Sequence, residues 1–98
     1  MSDPKLTPSS PGELLLEEFL EPLNISQNQL AKDLGVPPSR VNDIIKGRRS
    51  ISADTAVRLG LFFDMSPEFW LRAQFDYDLR LVKKDLKTIK EEVHPHAA

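Results

Sequence analysis

The amino-acid sequence predicts an all-α domain of five helices, the last of them long. Three observations carry that expectation. Apolar residues recur at spacings of three and four along most of the chain. Serine-led start signals and glycine or proline stops divide it into segments of helical length. No stretch alternates apolar and polar residues long enough to make a strand. The 98 residues suit one domain, and Leu, Ile, Val and Phe supply 29 of them, enough for one core. A domain this small buries only about two thirds of its unfolded surface, so dimerisation is a natural supplement.

Residues 1–11 hold three prolines and three serines without periodicity and are expected to form a flexible arm. The helical domain is expected at 12–93 and a disordered tail at 94–98. Pro11-Gly12-Glu13 opens the first helix. Leu15, Leu16, Phe19, Leu20 and Leu23 recur at helical spacing, with Glu17, Glu18 and Glu21 on the other side. Pro22 should end or kink this helix within a turn.

Ser26 caps the second helix, and Gln29, three residues on, is placed to reach back in a capping box. Leu30, Ala31 and Leu34 form its apolar face, and Gly35 suits the left-handed residue that ends it. Pro38 fits the first turn of the third helix, where a missing N–H is no loss. Pro37 before it offers no capping oxygen. Val41, Ile44 and Ile45 supply the buried face and Gly47 the stop. Arg48-Arg49-Ser50-Ile51 then reads as a basic loop with one apolar anchor.

Ser52 caps the fourth helix, with Asp54 favourable to the dipole in its first turn. Ala56, Val57, Leu59 and Phe63 are expected to face inward. Ser66-Pro67-Glu68 starts the fifth helix. No Gly or Pro follows until Pro95, which predicts a run of about 27 residues. Phe75, Leu79, Val82, Leu86, Ile89 and Val93 form a short heptad seam within it. Phe75, Leu79, Val82 and Leu86 are the expected homodimer contacts. Phe69, Trp70 and Phe75 read more readily as core than as a ligand site.

Several function classes fall away. Without cysteine there is no disulfide, thiolate zinc site or cysteine nucleophile. That fits a reducing cytosol, and a cytoplasmic protein is expected. No apolar run approaches the roughly 18 residues of a membrane span, and the first residues lack the apolar region of a secretory leader. The two histidines, His94 and His96, lie in the last five residues. Asp76 and Asp78 are two apart on a helix, about 200° round, and do not converge on a metal. The four glycines occur singly, so no phosphate-cradling loop exists. No nucleophile–base pair is visible, and no enzyme, cofactor, metal or small-molecule substrate is expected.

Net charge is −2, but its distribution is uneven. Residues 1–25 carry −4, residues 26–58 carry +3 and residues 59–98 carry −1. The basic middle third contains Lys46, Arg48 and Arg49. It also contains two short helices joined by a glycine turn. Leu30, Ala31, Leu34, Val41 and Ile44 pack such a pair, and the small Ala31 lets the axes approach. This is a helix-turn-helix arrangement, whose second helix enters the major groove by its N-terminal part. The positions on it not needed for burial are Ser39, Arg40, Asn42, Asp43 and Lys46. Arg reads guanine, Asn reads adenine and Ser reads either. Asp43 would be unfavourable near phosphate unless it accepts from cytosine or orients Arg40.

Ile25-Ser26-Gln27-x-x-Leu30-Ala31-x-x-Leu34-Gly35-Val36, followed by Val41-x-x-Ile44-x-x-Gly47, resembles the phage-repressor (XRE-type) helix-turn-helix. The flanks narrow the likeness. Pro11-Gly12-Glu13, Gly47-Arg48-Arg49-x-Ile51-Ser52-x-Asp54-Thr55-Ala56 and Ser66-Pro67-Glu68-Phe69-Trp70-Leu71-x-x-Gln74-x-x-Tyr77-Asp78-Leu79 resemble the HigA antitoxin family, also called virulence-associated protein I. The likeness covers residues 11 to 80. It implies a five-helix phage-repressor-like fold and a DNA-binding antitoxin that neutralises an RNA-cleaving HigB-type toxin and represses its own operon. Carried over by position, Gln27 would touch phosphate, Ser39, Arg40, Asn42 and Asp43 would occupy the base-reading stretch, and Lys46, Arg48 and Arg49 would grip the backbone. Ser10 stands where the family often has histidine. Pro37 and Pro38 replace the usual small polar residues at the start of the reading helix.

A toxin that binds RNA should carry basic patches. Charge complementarity therefore points to Glu13, Glu17, Glu18 and Glu21 as its docking site, leaving the DNA face free. Two other readings share parts of this pattern. A stand-alone XRE-type repressor without toxin shares every DNA feature, and gene neighbourhood separates the two. A helical protein-binding module that has lost DNA contact would fail a gel-shift assay.

Overall fold

The computed structural model describes residues 10–97, and all secondary structure among them is helical. Most of the expected arm therefore lies outside the described residues. Within them, Ser10 is extended and its Oγ accepts the Glu13 N–H at 3.2 Å, so the first helix is capped from Ser10 and begins at Pro11.

The first helix, α1, spans residues 11–23 and is not uniform. A turn of α-helix at Pro11–Leu14 passes into a π-helical stretch at Leu15–Leu20 and closes with Glu21–Leu23. Pro22 has no N–H, and its ring presses on the carbonyl four residues back. The wider turn ahead of it, with Glu21 N–H bonded to Leu16 O, relieves that crowding. The wide turn also puts Leu15 and Leu20, five apart, in the core at 1% exposure each. Leu23 points to solvent, unlike its apolar companions. Asn24 ends the helix in the left-handed region, φ 57°.

Helix α2 is Gln27–Leu34 and α3 is Pro38–Ile45. Ser26 Oγ caps α2 through the Gln29 N–H at 3.0 Å. Only half of the expected capping box forms, because the Gln29 side chain donates to Asp33 Oδ1 one turn on instead of reaching back. Gly35 takes φ 74°, its N–H bonded to the end of α2, and Val36 N–H closes the motif on Ala31 O at 3.0 Å. Pro37 precedes α3 without a side-chain cap, as its chemistry requires.

Helix α4 is Ala53–Phe63 and α5 is Pro67–Lys83. Ser52 and Ser66 cap them. On α4 the buried face is Thr55, Ala56, Leu59 and Gly60, with Phe63 partly buried. Val57, expected inside, lies about 130° round from that face and is exposed. The expected 27-residue last helix is two helices. Helix α5 stops at Lys83, and α6 runs Leu86–Glu92. The last turn of α5 tightens, with Asp85 N–H bonded to Val82 O at 2.9 Å, and Asp85 O accepts the first bond of α6 from Ile89 at 3.0 Å. Cationic Arg80 and Lys83 favour a helix C-terminus there, and aspartate favours a helix start. Residues 94–97 carry no regular structure.

Helix α4 packs along α5, α2 against both α3 and α4, and the start of α1 against α3 and α5. The core joins Leu15, Leu20, Leu30, Ala31, Val41, Ile44, Ile51, Ala56, Leu59 and Trp70. Trp70 is fully buried, with Phe19 and Phe69 rings at 4.9 and 5.1 Å. Phe69 and Phe75, expected as core, keep 40% and 61% of their surface exposed. They sit one and seven residues after Glu68 on the outer side of α5, where Trp70 and Gln74 take the inward positions. Among the glycines, Gly12 lies closest to a neighbouring backbone. A Cβ there would lie 2.0 Å from the Ile44 carbonyl oxygen, so the start of α1 rests directly on the end of α3.

Candidate nucleic-acid interface

The α2–α3 pair is held by its own apolar seam. Leu30 and Ala31 are fully buried, Val41 and Ile44 keep 2% exposure, and the glycine turn sets the hand-over between the helices. Apart from the exposed Pro38 and the half-buried Ile45, what remains outward on α3 is polar. Ser39 and Lys46 are exposed, and Arg40, Asn42 and Asp43 are half-buried. Arg48 and Arg49 are exposed on the following loop.

These side chains are cross-linked rather than loose. Asn42 Nδ2 donates to Gln27 Oε1 at 3.2 Å, joining the start of α2 to the middle of α3. Arg48 N–H and Arg49 N–H both donate to the Asp43 carbonyl, at 2.8 and 3.2 Å, so the basic loop folds back on the end of α3. The Arg48 guanidinium stands 3.9 Å from the Asp43 carboxylate. Asp43 therefore answers to Arg48. Arg40 is paired elsewhere: its Nη1 donates to Asp54 Oδ2 on α4 at 3.0 Å. The same oxygen accepts Arg58 Nε at 2.9 Å, and Arg58 Nη1 donates to the Leu34 carbonyl at the end of α2, also at 2.9 Å. The hydrogen bond from Arg58, with Arg40 beside it, holds the Asp54 carboxyl below the usual aspartate value, so it is ionised at neutral pH.

The far end of the basic loop is pinned from α5. Ile51 is buried, and its N–H donates to Gln74 Oε1 at 2.8 Å. Gln74 Nε2 donates in turn to Asp78 Oδ1 at 2.9 Å. Sequence reasoning gave Asp54 only a dipole role and gave none to Arg58 or Gln74. The i,i+4 spacing of Asp54 and Arg58 was the available signal for one. For Gln74 it was a polar residue one turn after Trp70, on the buried stripe of α5.

The other expected groups sit apart from this cluster in sequence. Glu17, Glu18 and Glu21 are exposed on α1, and Glu13 is half-buried beside the Gly12 contact. Phe75, Leu79 and Val82 on α5 and Leu86 on α6 all expose 40% or more of their surface, so the seam is unfilled within the chain. Among the described residues no group of three histidine or acidic side chains is placed to hold a metal, and no helix is long and apolar enough to cross a membrane.

The helix-turn-helix family profile matches residues 16–70. Virulence-associated protein I of Dichelobacter nodosus is 46% identical over 79 residues, 81% of this chain and 73% of that one. Antitoxin HigA-1 of Vibrio cholerae is 39% identical over 79 residues, 81% of this chain and 74% of that one. The chain belongs to the HigA antitoxin family. A solved structure described as Pseudomonas aeruginosa antitoxin HigA with higBA promoter superposes with a TM-score of 0.84 at 42% identity, covering 93% of this chain and all of that one. The HigA family is one of helix-turn-helix DNA-binding proteins, and the resemblance read from residues 11–80 identified it correctly. In this member of the HigA family, residues 16–70 matched by the helix-turn-helix profile include the α2–α3 pair and the basic loop.

Proposed function

We propose that this protein is the antitoxin and autorepressor of a type II toxin–antitoxin module. It binds operator DNA through α3 as a homodimer and neutralises an RNA-cleaving HigB-like toxin in the cytoplasm. The observation that carries the reading is the outward face of α3. Ser39, Arg40 and Asn42, side chains able to read base edges, are flanked by Lys46, Arg48 and Arg49, able to neutralise phosphates. The promoter-bound HigA structure, at 42% identity, supports DNA as the partner of that face.

Gln27 lies at the start of α2, where backbone N–H groups favour a phosphate, and its bond to Asn42 ties the phosphate contact to the base contact. One α3 reads too few base pairs for useful specificity, so two copies occupy half-sites about one helical turn apart. The apolar seam Phe75, Leu79, Val82 and Leu86 supplies the contact between copies. The acidic face Glu13, Glu17, Glu18 and Glu21 receives the toxin.

Two measurements test the proposal together. A gel shift with the gene's own promoter is expected to show binding that unrelated DNA of equal length does not compete. Co-expression with a toxic product of a neighbouring gene is expected to restore growth. Promoter binding without any rescue replaces the antitoxin with the stand-alone repressor. No binding and no rescue removes both.

A further inference from the structure

Arg40 is the third residue of α3, in the turn that enters the groove. An arginine carries five N–H donors on a flat fork, and a long flexible stem makes the fork costly to aim. In this protein the fork is already held. Asp54 Oδ2, from α4, takes a hydrogen bond from Arg40 Nη1, and the pair stands at 3.0 Å. Asp54 is itself anchored. Arg58, one turn on, donates Nε to the same oxygen and Nη1 to the carbonyl of Leu34 at the end of α2. The carboxylate is thus fixed with respect to both helices of the DNA-binding unit.

We propose that Asp54 is a positioning residue for base reading: it aims the Arg40 guanidinium, whose Nε and Nη2 edge stays available for a bidentate contact with guanine. The inference rests on the DNA-reading role proposed above. Asp54 does not touch DNA itself. It fixes the plane of the fork before the DNA arrives, so less rotamer freedom is lost when the contact forms. Its negative charge also offsets one of the two arginines, which lowers attraction to phosphate in general. Both effects raise the ratio of specific to unspecific binding.

The test uses the full chain, a duplex of its own promoter and a set of single-base-pair variants of that duplex. Arg40→Ala is expected to lose about tenfold of preference or more at one base pair per half-site. Asp54→Ala is expected to lose preference at the same base pair, while its affinity for unrelated DNA rises as the offsetting charge is lost. The double variant is expected to discriminate no worse than Arg40→Ala alone. If Asp54→Ala is not folded by circular dichroism, Asp54→Ser keeps a polar group in the first turn of α4, lacks the carboxylate that holds the Arg40 fork, and carries the same comparison. Full preference in the folded Asp54 variant overturns the proposal. So does a loss that adds to that of Arg40→Ala, or one spread evenly over all positions. A wild-type protein with no sequence preference overturns the DNA-reading role itself, an outcome visible before any Asp54 variant is measured.

Discussion

Gln74 Oε1 accepts the backbone N–H of Ile51 at 2.8 Å, across 23 residues of sequence. The basic loop is thereby fastened to α5 at its buried end. Gln74→Leu keeps the volume and removes the acceptor. It leaves a buried N–H unpaired, a cost of about 1–3 kcal/mol. Urea unfolding is expected to show that loss. DNA affinity is expected to fall for all sequences alike, because the loop carries Arg48 and Arg49 rather than the base readers.

Gly12 and Gly47 respond differently to a methyl group. At Gly12 the added Cβ meets the Ile44 carbonyl at 2.0 Å, a backbone atom that cannot swing aside. Gly12→Ala is expected to destabilise the protein by about 1–3 kcal/mol or more as α1 shifts off α3. At Gly47 the Cβ meets nothing within 4 Å, but φ is 78°. Gly47→Ala is expected to cost about 1–2 kcal/mol, the left-handed penalty alone. Thermal melts of both variants check the order.

Salt titration of promoter binding measures the phosphate contacts. If Lys46, Arg48 and Arg49 each neutralise one phosphate in both copies of a dimer, the log–log slope is about −5. Arg49→Ala is expected to bring it closer to zero by about 2 while leaving base preference intact. Affinity independent of salt would remove the phosphate role of these residues.

The seam on α5 and α6 is tested by charge. Leu86 is 45% exposed in the single chain, so Leu86→Glu leaves the fold undisturbed. In a dimer it buries an unpaired carboxylate and is expected to shift the equilibrium to monomer. Analytical ultracentrifugation of a variant with wild-type circular dichroism gives the answer. An unchanged mass would move the interface off this seam.

The acidic face of α1 is tested by reversal. Glu17 and Glu18 are both exposed. Glu17→Lys combined with Glu18→Lys is expected to impair rescue from co-expressed toxin and to leave promoter binding intact. Full rescue by that variant, with loss of rescue when α5 or α6 is altered, places the toxin elsewhere.

What was legible in the sequence was local. Ser26, Ser52 and Ser66 each cap a helix through an N–H two or three residues away, and Gly35 ends α2 in the conformation its lack of Cβ allows. Leu30, Ala31, Leu34, Val41 and Ile44 are spaced so that one face of each helix is apolar, and all five are buried. What escaped depends on groups far apart in the chain or on competition between similar energies. Nothing near Gly12 announces that Ile44 will sit on it. Nothing near Arg40 says that Asp54, rather than Asp43 three residues away, will take its guanidinium. The stop at Lys83 has no glycine or proline to mark it, only cations followed by an aspartate. The π-helical stretch before Pro22 relieves a clash that in sequence reads simply as a stop.

The serine caps have a consequence for how quickly the chain finds its structure. Ser10, Ser26, Ser52 and Ser66 each fix a helix start through a bond closed within three residues. Helix borders are therefore specified by neighbouring residues, and the connections between helices are short, so little chain entropy is spent on long loops. Domains built on such local contacts fold within microseconds to milliseconds, faster than sheet proteins of equal size. Stopped-flow refolding of this chain should accordingly show its main phase within the first few milliseconds, which leaves the concentration-dependent meeting of two copies as the slow step before operator binding.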